Sequence, residues 1–278
     1  MKIKVNLFDK GLIREFLSYI GIFGGLYTYI TIFSDTLENI KGNNKIALLV
    51  TLGLVLLYLG LWIKSNLSKK VTLNINGSEL KVKVGNIFDQ EGFKVIAFNE
   101  YFDTIVDDDI ISRTSLNGIF IENELNESIE VLDEHICNDM SSRRVKIGKT
   151  VTRHKGKNIK YPIGTICKYN DFLITAYSKF DKDNKAHLTM KEYLNFLMKF
   201  WEEIDRVYAG KSISIPLLGS GITRFTENIC ISDQELLEIL IWSFKISRVK
   251  IKYPSNVSII IYHENVDKIN FYKLREMI

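Results

Sequence analysis

The sequence predicts an α/β layered domain preceded by a two-helix transmembrane hairpin. Two uncharged apolar stretches lie near the N-terminus, at residues 16–33 and 46–63. Beyond residue 70 the continuous apolar pattern gives way to alternation, and short β-branched runs then interleave with long amphipathic segments. With 278 residues, 46% of them hydrophobic and 25% charged, the chain is long enough for one sizeable domain plus an appendage, and too apolar to be disordered. A net charge of +4 does not select nucleic acid, so the distribution of charge carries more information than its sum.

The first stretch reads "FLSYIGIFGGLYTYITIF" and the second "IALLVTLGLVLLYLGLWI". At about 18 residues and ~1.5 Å rise per residue, each spans roughly 27 Å, the hydrocarbon thickness of a bilayer. A signal peptide explains the first stretch poorly, because a second follows after about a dozen residues with no small-residue cleavage pattern between. The alternative is a buried helical hairpin. Lys2, Lys4, Lys10 and Arg14 precede the first span and Lys64, Lys69 and Lys70 follow the second, whereas the connection holds Lys41 and Lys45 beside Asp35 and Glu38. This bias predicts a two-span protein of a cell inner membrane or plasma membrane with both termini cytoplasmic, and places Tyr58 and Trp62 near the inner interface. Gly21 and Gly25 form a small-residue step, and Gly53 and Gly60 stand one heptad apart; they fit close helix packing between protomers, or simply the frequency of glycine in spans.

Residues 1–66 are thus read as a tail and hairpin, and residues 71–278 as a cytosolic domain. "VTLNING" and "ELKVKVG" predict a β-hairpin turning at Asn76-Gly77. Buried strands are expected at "FKVIAFN" (93–99), "DFLITAYS" (171–178), "SISIPLL" (212–218) and "VSIIIY" (257–262). Helices are expected over "TMKEYLNFLMKFWEEIDRVY" and "SDQELLEILIWSFKIS", the second opening with a Ser232/Glu235 capping box. In an open α/β sheet, ligands bind beyond the carboxyl ends of strands. Two loops stand at such ends, "NEYFDT" after residue 98 and "GSGITRF" after residue 218. Gly219 and Gly221 permit backbone N–H groups to turn toward one point, which suits phosphate, although a Gly-x-Gly step also serves plain chain reversal. The loop is neither a P-loop, since no Lys-Ser or Lys-Thr follows, nor a Rossmann fingerprint, since the third glycine is absent.

"VKVGNIFDQEGFKVIAFNEYFDT", "YPIGTICKYNDFLITAYSKF" and "SISIPLLGSGITRF", in this order and spacing, resemble the motifs of macro domains, modules that bind ADP-ribose and its derivatives. The resemblance covers roughly residues 71–265 and implies a macro-like mixed sheet between helical layers. Joined to a two-span hairpin, it further resembles the membrane-anchored macro effectors of Thoeris anti-phage defence. There, a partner TIR-domain enzyme makes an ADP-ribose-derived signal from NAD, and the effector compromises the membrane.

Carried over to this sequence, the resemblance implies that Gly219, Ser220, Gly221, Ile222 and Thr223 hold the diphosphate, the last four through backbone N–H groups, with Arg224 nearby and Phe225 against a ribose. Asn86, followed by Ile87, stands where macro domains have an aspartate for the adenine amino group; its carbonyl accepts the same donor without charge. Asn99 matches the asparagine that lines the distal ribose. The chain departs from hydrolytic macro domains after Asn99, where "EYFDTIVDDDIISRTSLNG" is acidic and lacks glycine until Gly118. Asp103, Thr104, Asp108 and Ser115 are therefore candidate contacts to a cationic or imidazole-bearing substituent, such as histidine, on the distal ribose. The triplet Asp107–Asp109 also reads as a solvated helix start.

From Arg143 to Lys160 basic residues accumulate with no acid among them, after a mainly acidic stretch from Glu100 to Asp139. A solvated hairpin neutralised by that acidic neighbour, a contact with anionic lipid and a contact with nucleic acid compete here. The absence of interleaved aromatics before Tyr161 disfavours the last. Cys137, Cys167 and Cys230 are isolated, and the histidines at 135, 154, 187 and 263 are scattered, so no metal, cofactor or nucleophilic triad is expected. The expectation is a membrane effector that reads an ADP-ribose derivative and self-associates on activation. A tethered ADP-ribosyl hydrolase and a constitutive membrane scaffold are its rivals.

Overall fold

The computed structural model describes residues 3–33, 44–148, 153–181, 183–221, 224–225 and 231–277. The chain divides into two units, one of residues 1–71 with 270–278, the other of residues 72–269.

The first unit is built on two helices, α1 (Lys10–Phe33) and α2 (Asn44–Leu67). The start of α1 and the end of α2 pack together: Val5, Leu12, Leu61 and Tyr272 form a buried cluster flanked by Phe16, Leu57, Tyr58 and Trp62. The Phe16 and Tyr58 rings meet edge to face at 5.0 Å. The Asn66 amide closes the base, its Oδ1 accepting the Lys4 and Val5 N–H groups at 2.8 and 3.0 Å and its Nδ2 donating to the Trp62 carbonyl at 2.9 Å. The C-terminal segment joins this unit, with Asn270 Nδ2 donating to the Lys4 carbonyl and Tyr272 OH to Glu15. Away from the base the helices bury little: Leu17, Ile22, Phe23, Leu26, Leu48, Leu49, Leu52 and Leu56 are exposed. Among the described residues one helix, α2, is long and apolar enough to cross a membrane by length and composition. α1 is helical across the first predicted span. A Cβ at Gly21, Gly25, Gly53 or Gly60 would meet nothing within 4 Å, so packing among the described residues does not use these glycines.

The second unit is a mixed sheet with helices on both faces. Its strands are β1 (Lys70–Ile75), β2 (Ser78–Val84), β3 (Phe93–Asn99), β4 (Ile166–Tyr169), β5 (Phe172–Phe180), β6 (Ala186–Leu188), β7 (Ile213–Pro216), β8 (Arg224–Phe225) and β9 (Val257–Ile261). The order is β1-β2-β9-β7-β3-β5-β6-β8, with β4 also pairing with β5. Asn76 and Gly77 make the β1–β2 turn with φ of 53° and 78°, the left-handed pair that a two-residue hairpin of this twist requires. β2, β9, β7, β3 and β5 are mutually parallel, and β4 and β6 run antiparallel to β5. Every residue of β9 is buried, as expected of a parallel strand covered on both faces.

The helices are α3 (Leu116–Ile119), α4 (Ile129–Ser142), α5 (Met190–Val207) and α6 (Asp233–Ser247), with a π-helical turn at Phe120–Glu124. Alternation along a strand separates two cores. Ile174 and Ala176 of β5 join Ile96 and Phe98 of β3 against Phe120, Leu132, Ile136 and Met140. Tyr177, on the opposite face, packs its ring 4.9 Å from Phe196 of α5. α5 and α6 are tied by Trp201, whose Nε1 donates to Ser243 Oγ at 2.8 Å and whose ring lies 4.8 Å from Phe244. Both helices start in capping boxes, Thr189 with Glu192 and Ser232 with Glu235.

Candidate functional site

Because five neighbouring strands run parallel, their carboxyl ends share one edge, and a cleft of about 670 Å³ opens there. Its floor comes from the ends of those strands: Gly85–Phe88 after β2, Ala97–Asn99 of β3, Tyr177 and Ser178 of β5, Pro216–Gly221 from β7 onward, and Ile260–Tyr262 from β9. One rim is the segment Asp108–Asn117, and the other is Phe180 with Asn184–Ala186.

The glycine loop leaves β7 with Gly219 at φ 95°, where a Cβ would lie 3.1 Å from Tyr177 Oη and 3.3 Å from Leu236. Glycine is thus required at 219 by conformation and by close approach. Gly221 differs: a Cβ there meets nothing within 4 Å. The Ser220 N–H points back to the Leu217 carbonyl at 3.3 Å and its hydroxyl donates to the same oxygen at 2.8 Å, so the loop begins as a closed turn. Behind it, Tyr193 Oη donates to the Leu218 carbonyl at 3.0 Å, and Phe225 packs edge-on to Tyr193 at 5.6 Å. Phe225 is therefore a support of the loop and is not among the cleft-lining residues. Arg224 pairs with His187 through its backbone in β8. Ile222 and Thr223 lie outside the described residues.

Asn86 lines the cleft, its Oδ1 accepting the Phe88 N–H at 3.2 Å, beside a buried Ile87. Asn99 follows an irregularity in the β3–β5 register at Phe98/Asn99, a feature that re-aims side chains at strand ends. Its Oδ1 accepts the Tyr101 and Asp103 N–H groups at 2.9 and 3.3 Å, and its Nδ2 donates to Asp103 Oδ2 at 3.0 Å. Asp108 and Ser115 both stand on the rim. Asp108 Oδ1 accepts the Arg113 N–H at 2.8 Å, and Ser115 Oγ caps α3 by accepting from the Gly118 N–H at 3.2 Å.

Asp103 and Thr104 do not line the cleft. The chain turns inward at Phe102, φ 50°, and Asp103 becomes fully buried against Arg153, while Thr104 Oγ1 donates to Asp133 at 3.1 Å. Several cations of the basic segment are paired, mostly with the acidic stretch: Arg143 with Asp139 and with Glu203 of α5, Lys155 with Asp107 and Asp109, Lys157 with Asp133, and Lys160 with Glu100. The neutralised reading therefore describes these cations. A hydrogen bond from Lys155 draws the Asp107 carboxyl down to about 2, against the burial that raises it. The Asp107–Asp109 triplet does not start a helix; it forms a turn in which Asp107 Oδ1 accepts the Asp109 and Ile110 N–H groups at 3.0 and 2.8 Å.

The cleft lining also includes Tyr177, Phe180, Asn184, Lys185, Tyr262 and Asn265, which no motif in the sequence marks as ligand contacts. The rule that ligands sit beyond carboxyl strand ends reaches Tyr262, which follows "VSIII", and Phe180, which ends β5. Among the described residues no group of three or more His, Cys, Asp or Glu side chains could hold a metal ion.

Residues 80–262 match the family described as the macro domain of the Thoeris protein ThsA. The Thoeris protein ThsA of Bacillus amyloliquefaciens (strain Y2) is 42% identical over 255 residues, spanning 90% of this chain and 84% of that protein. A mutant of the Oceanobacillus iheyensis macrodomain solved with ADPR superposes with a TM-score of 0.49 at 12% identity, covering 74% of this chain and 97% of its own. The same macrodomain solved with ADP gives 0.48 at 13% identity, covering 75% and 98%.

Proposed function

The chain belongs to the Thoeris ThsA macro-domain family, and from that membership we propose that it is a membrane-anchored receptor for an NAD-derived ADP-ribose signal. A TIR-domain enzyme would supply the signal, and ligand binding would convert the protein into a membrane-disrupting assembly that ends an infection. The observation that carries this reading is the cleft at the shared carboxyl edge, which joins the glycine loop, Asn86 and Asn99 in one cavity of about 670 Å³, a size suited to a small-molecule ligand.

In this reading the diphosphate lies along Gly219–Gly221, where a Cβ at Gly221 would meet no described atom within 4 Å. The adenine end lies toward Asn86, the distal ribose toward Asn99. A substituent on that ribose reaches the rim of Asp108, Asp109 and Ser115, whose acids favour a cationic or imidazole group such as that of histidine. The Asp108 and Asp109 carboxylates pair with Arg113 and Lys155 through exposed contacts, which a cationic group of the ligand would have to displace or join.

Membrane anchoring is supported by α2 and by the broad exposed apolar surface of α1 and α2. We read both helices as spans, with both termini cytoplasmic as the lysine and arginine bias directs. The glycines left open on them suit packing between copies. Activation then requires that the ligand bind the associated state more tightly than the resting one, since equal affinity shifts nothing.

Dye-loaded vesicles carrying the full chain test this reading. Histidine-conjugated ADP-ribose is expected to release dye, and NAD is not. Release that needs no nucleotide would point to a constitutive scaffold, and consumption of the conjugate by the protein would make it an enzyme.

A further inference from the structure

Segment 153–160 contacts residues on both sides of the cleft, and one side chain in it, Arg153, ties two parts of the cleft wall together. Arg153 is 8% exposed and faces an aspartate, Asp103, that is 0% exposed. Its Nη1 donates to Asp103 Oδ2 at 2.8 Å and to the Lys157 carbonyl at 2.9 Å, and its Nη2 donates to Asn184 Oδ1 at 2.6 Å. The guanidinium lies 4.0 Å from the Tyr101 ring centroid and 5.6 Å from that of Phe180. Asp103 in turn holds the Asn99 amide, while Asn184 and Phe180 form the opposite rim. Arg153 itself does not line the cleft.

We propose that Arg153 is the positioning residue of this site, fixing the separation between the Asn99 turn and the Phe180–Asn184 rim so that both engage one ligand. The proposal rests on the reading of the cleft as a nucleotide site. The surrounding contacts agree with it. The Lys157 N–H donates to Asp103 Oδ1 at 2.7 Å, and Glu100 Oε1 accepts from Lys160 at 2.8 Å and from the Phe180 N–H at 3.3 Å, so the segment binds both walls in parallel. Gly156 sits at φ 92° where a Cβ would fall 2.7 Å from Asp103 Oδ1 and 2.8 Å from Arg153 Nη1. The backbone is therefore drawn against the ion pair as closely as glycine alone allows.

An arginine is needed for this task. A planar fork reaches acceptors on two sides while stacking on rings, whereas a lysine ammonium keeps the charge opposite Asp103 but does neither. Arg153→Lys thus separates positioning from charge pairing, and Asn184→Ala severs the same link from the cleft side.

The test uses the full chain in lipid nanodiscs, with hydrogen exchange measured without ligand and calorimetric affinity for histidine-conjugated ADP-ribose. In Arg153→Lys, amides of residues 178–186 are expected to exchange about fivefold faster or more, with residues 213–216 and 257–261 unchanged. Gly156→Ala is expected to give the same pattern with Arg153 intact. Arg153→Lys should weaken binding about tenfold; Asn184→Ala should weaken it at least as much, because it removes both the Nη2 acceptor and a cleft-lining side chain, and adding Arg153→Lys to it should cost less than the tenfold seen alone. Unchanged exchange at 178–186, equal acceleration in every strand, or additive losses of affinity would overturn the proposal. If the wild type binds neither the conjugate nor plain ADP-ribose, the ligand reading fails, and the exchange pattern still decides whether Arg153 holds the wall.

Discussion

Asn99 and Asp103 stand four residues apart and meet different fates, which shows what a residue's position in the sequence does and does not specify. Asn99 ends a buried parallel strand, so its place at the cleft follows from the strand itself. Asp103 is carried away by a left-handed turn at Phe102 and captured by an arginine fifty positions later. Nothing local in "NEYFDT" specifies that reversal, because phenylalanine does not favour φ > 0. The acidic triplet is similar: Asp107 is set by Lys155, which also reaches Asp109. That pair yields an acid-stability prediction. The Asp107 carboxyl is held at about 2 in the folded chain by Lys155 and titrates near 4 when unfolded. A lowered folded value contributes stability that is full above about pH 4 and is lost as pH falls through about 2. Both groups are partly exposed, so the effect is small and screened by salt. In low-salt urea melts, Lys155→Met is expected to show a shallower loss of stability between about pH 5 and pH 2 than the wild type. Identical slopes would remove the pair from the acid response.

At the scale of elements, the strands of the cleft were legible because buried parallel strands are continuous β-branched runs. The expected runs 93–99, 171–178, 212–218 and 257–262 coincide with β3, β5, β7 and β9 to within two residues at most ends. β6 and β8, with three and two residues, are too short to carry a period, and their pairing is made by tertiary contact. For the basic segment the sequence leaves open a solvated hairpin neutralised by its acidic neighbour, a lipid contact and a nucleic-acid contact, since charge pairing across fifty residues has no local signature that selects the partners. Helix starts were more accessible. The Ser232/Glu235 box is present as read, and Thr189 with Glu192 forms a second at α5. Thr189→Ala frees the Glu192 N–H and is expected to lower stability by about 1 kcal/mol in a denaturant melt, without loss of ligand affinity. A change below a few tenths of that would mean the α5 start is held by packing alone.

For the whole molecule, the two units carry separate parts of the proposed function, the nucleotide cleft within residues 72–269 and the apolar helices within the other unit. The sequence reading divides the chain into residues 1–66 and 71–278, whereas the two compact units are residues 1–71 with 270–278 and residues 72–269. It did not foretell that residues 270–278 group with the N-terminal helices, because Tyr272 and Asn270 lie far in sequence from Glu15 and Lys4. The central claim is that the glycine-loop cleft binds an ADP-ribose derivative. Gly221→Asp addresses it cleanly, since a side chain at 221 enters open space and leaves the packed loop base intact while adding negative charge where the diphosphate would lie. Calorimetric titration of the full chain in nanodiscs with histidine-conjugated ADP-ribose, wild type beside Gly221→Asp, is therefore the most direct measurement. Saturable binding by the wild type, weaker binding of plain ADP-ribose, and no binding by a variant with an unchanged melting temperature are the expected results. Equal binding by both proteins would place the ligand elsewhere and contradict it.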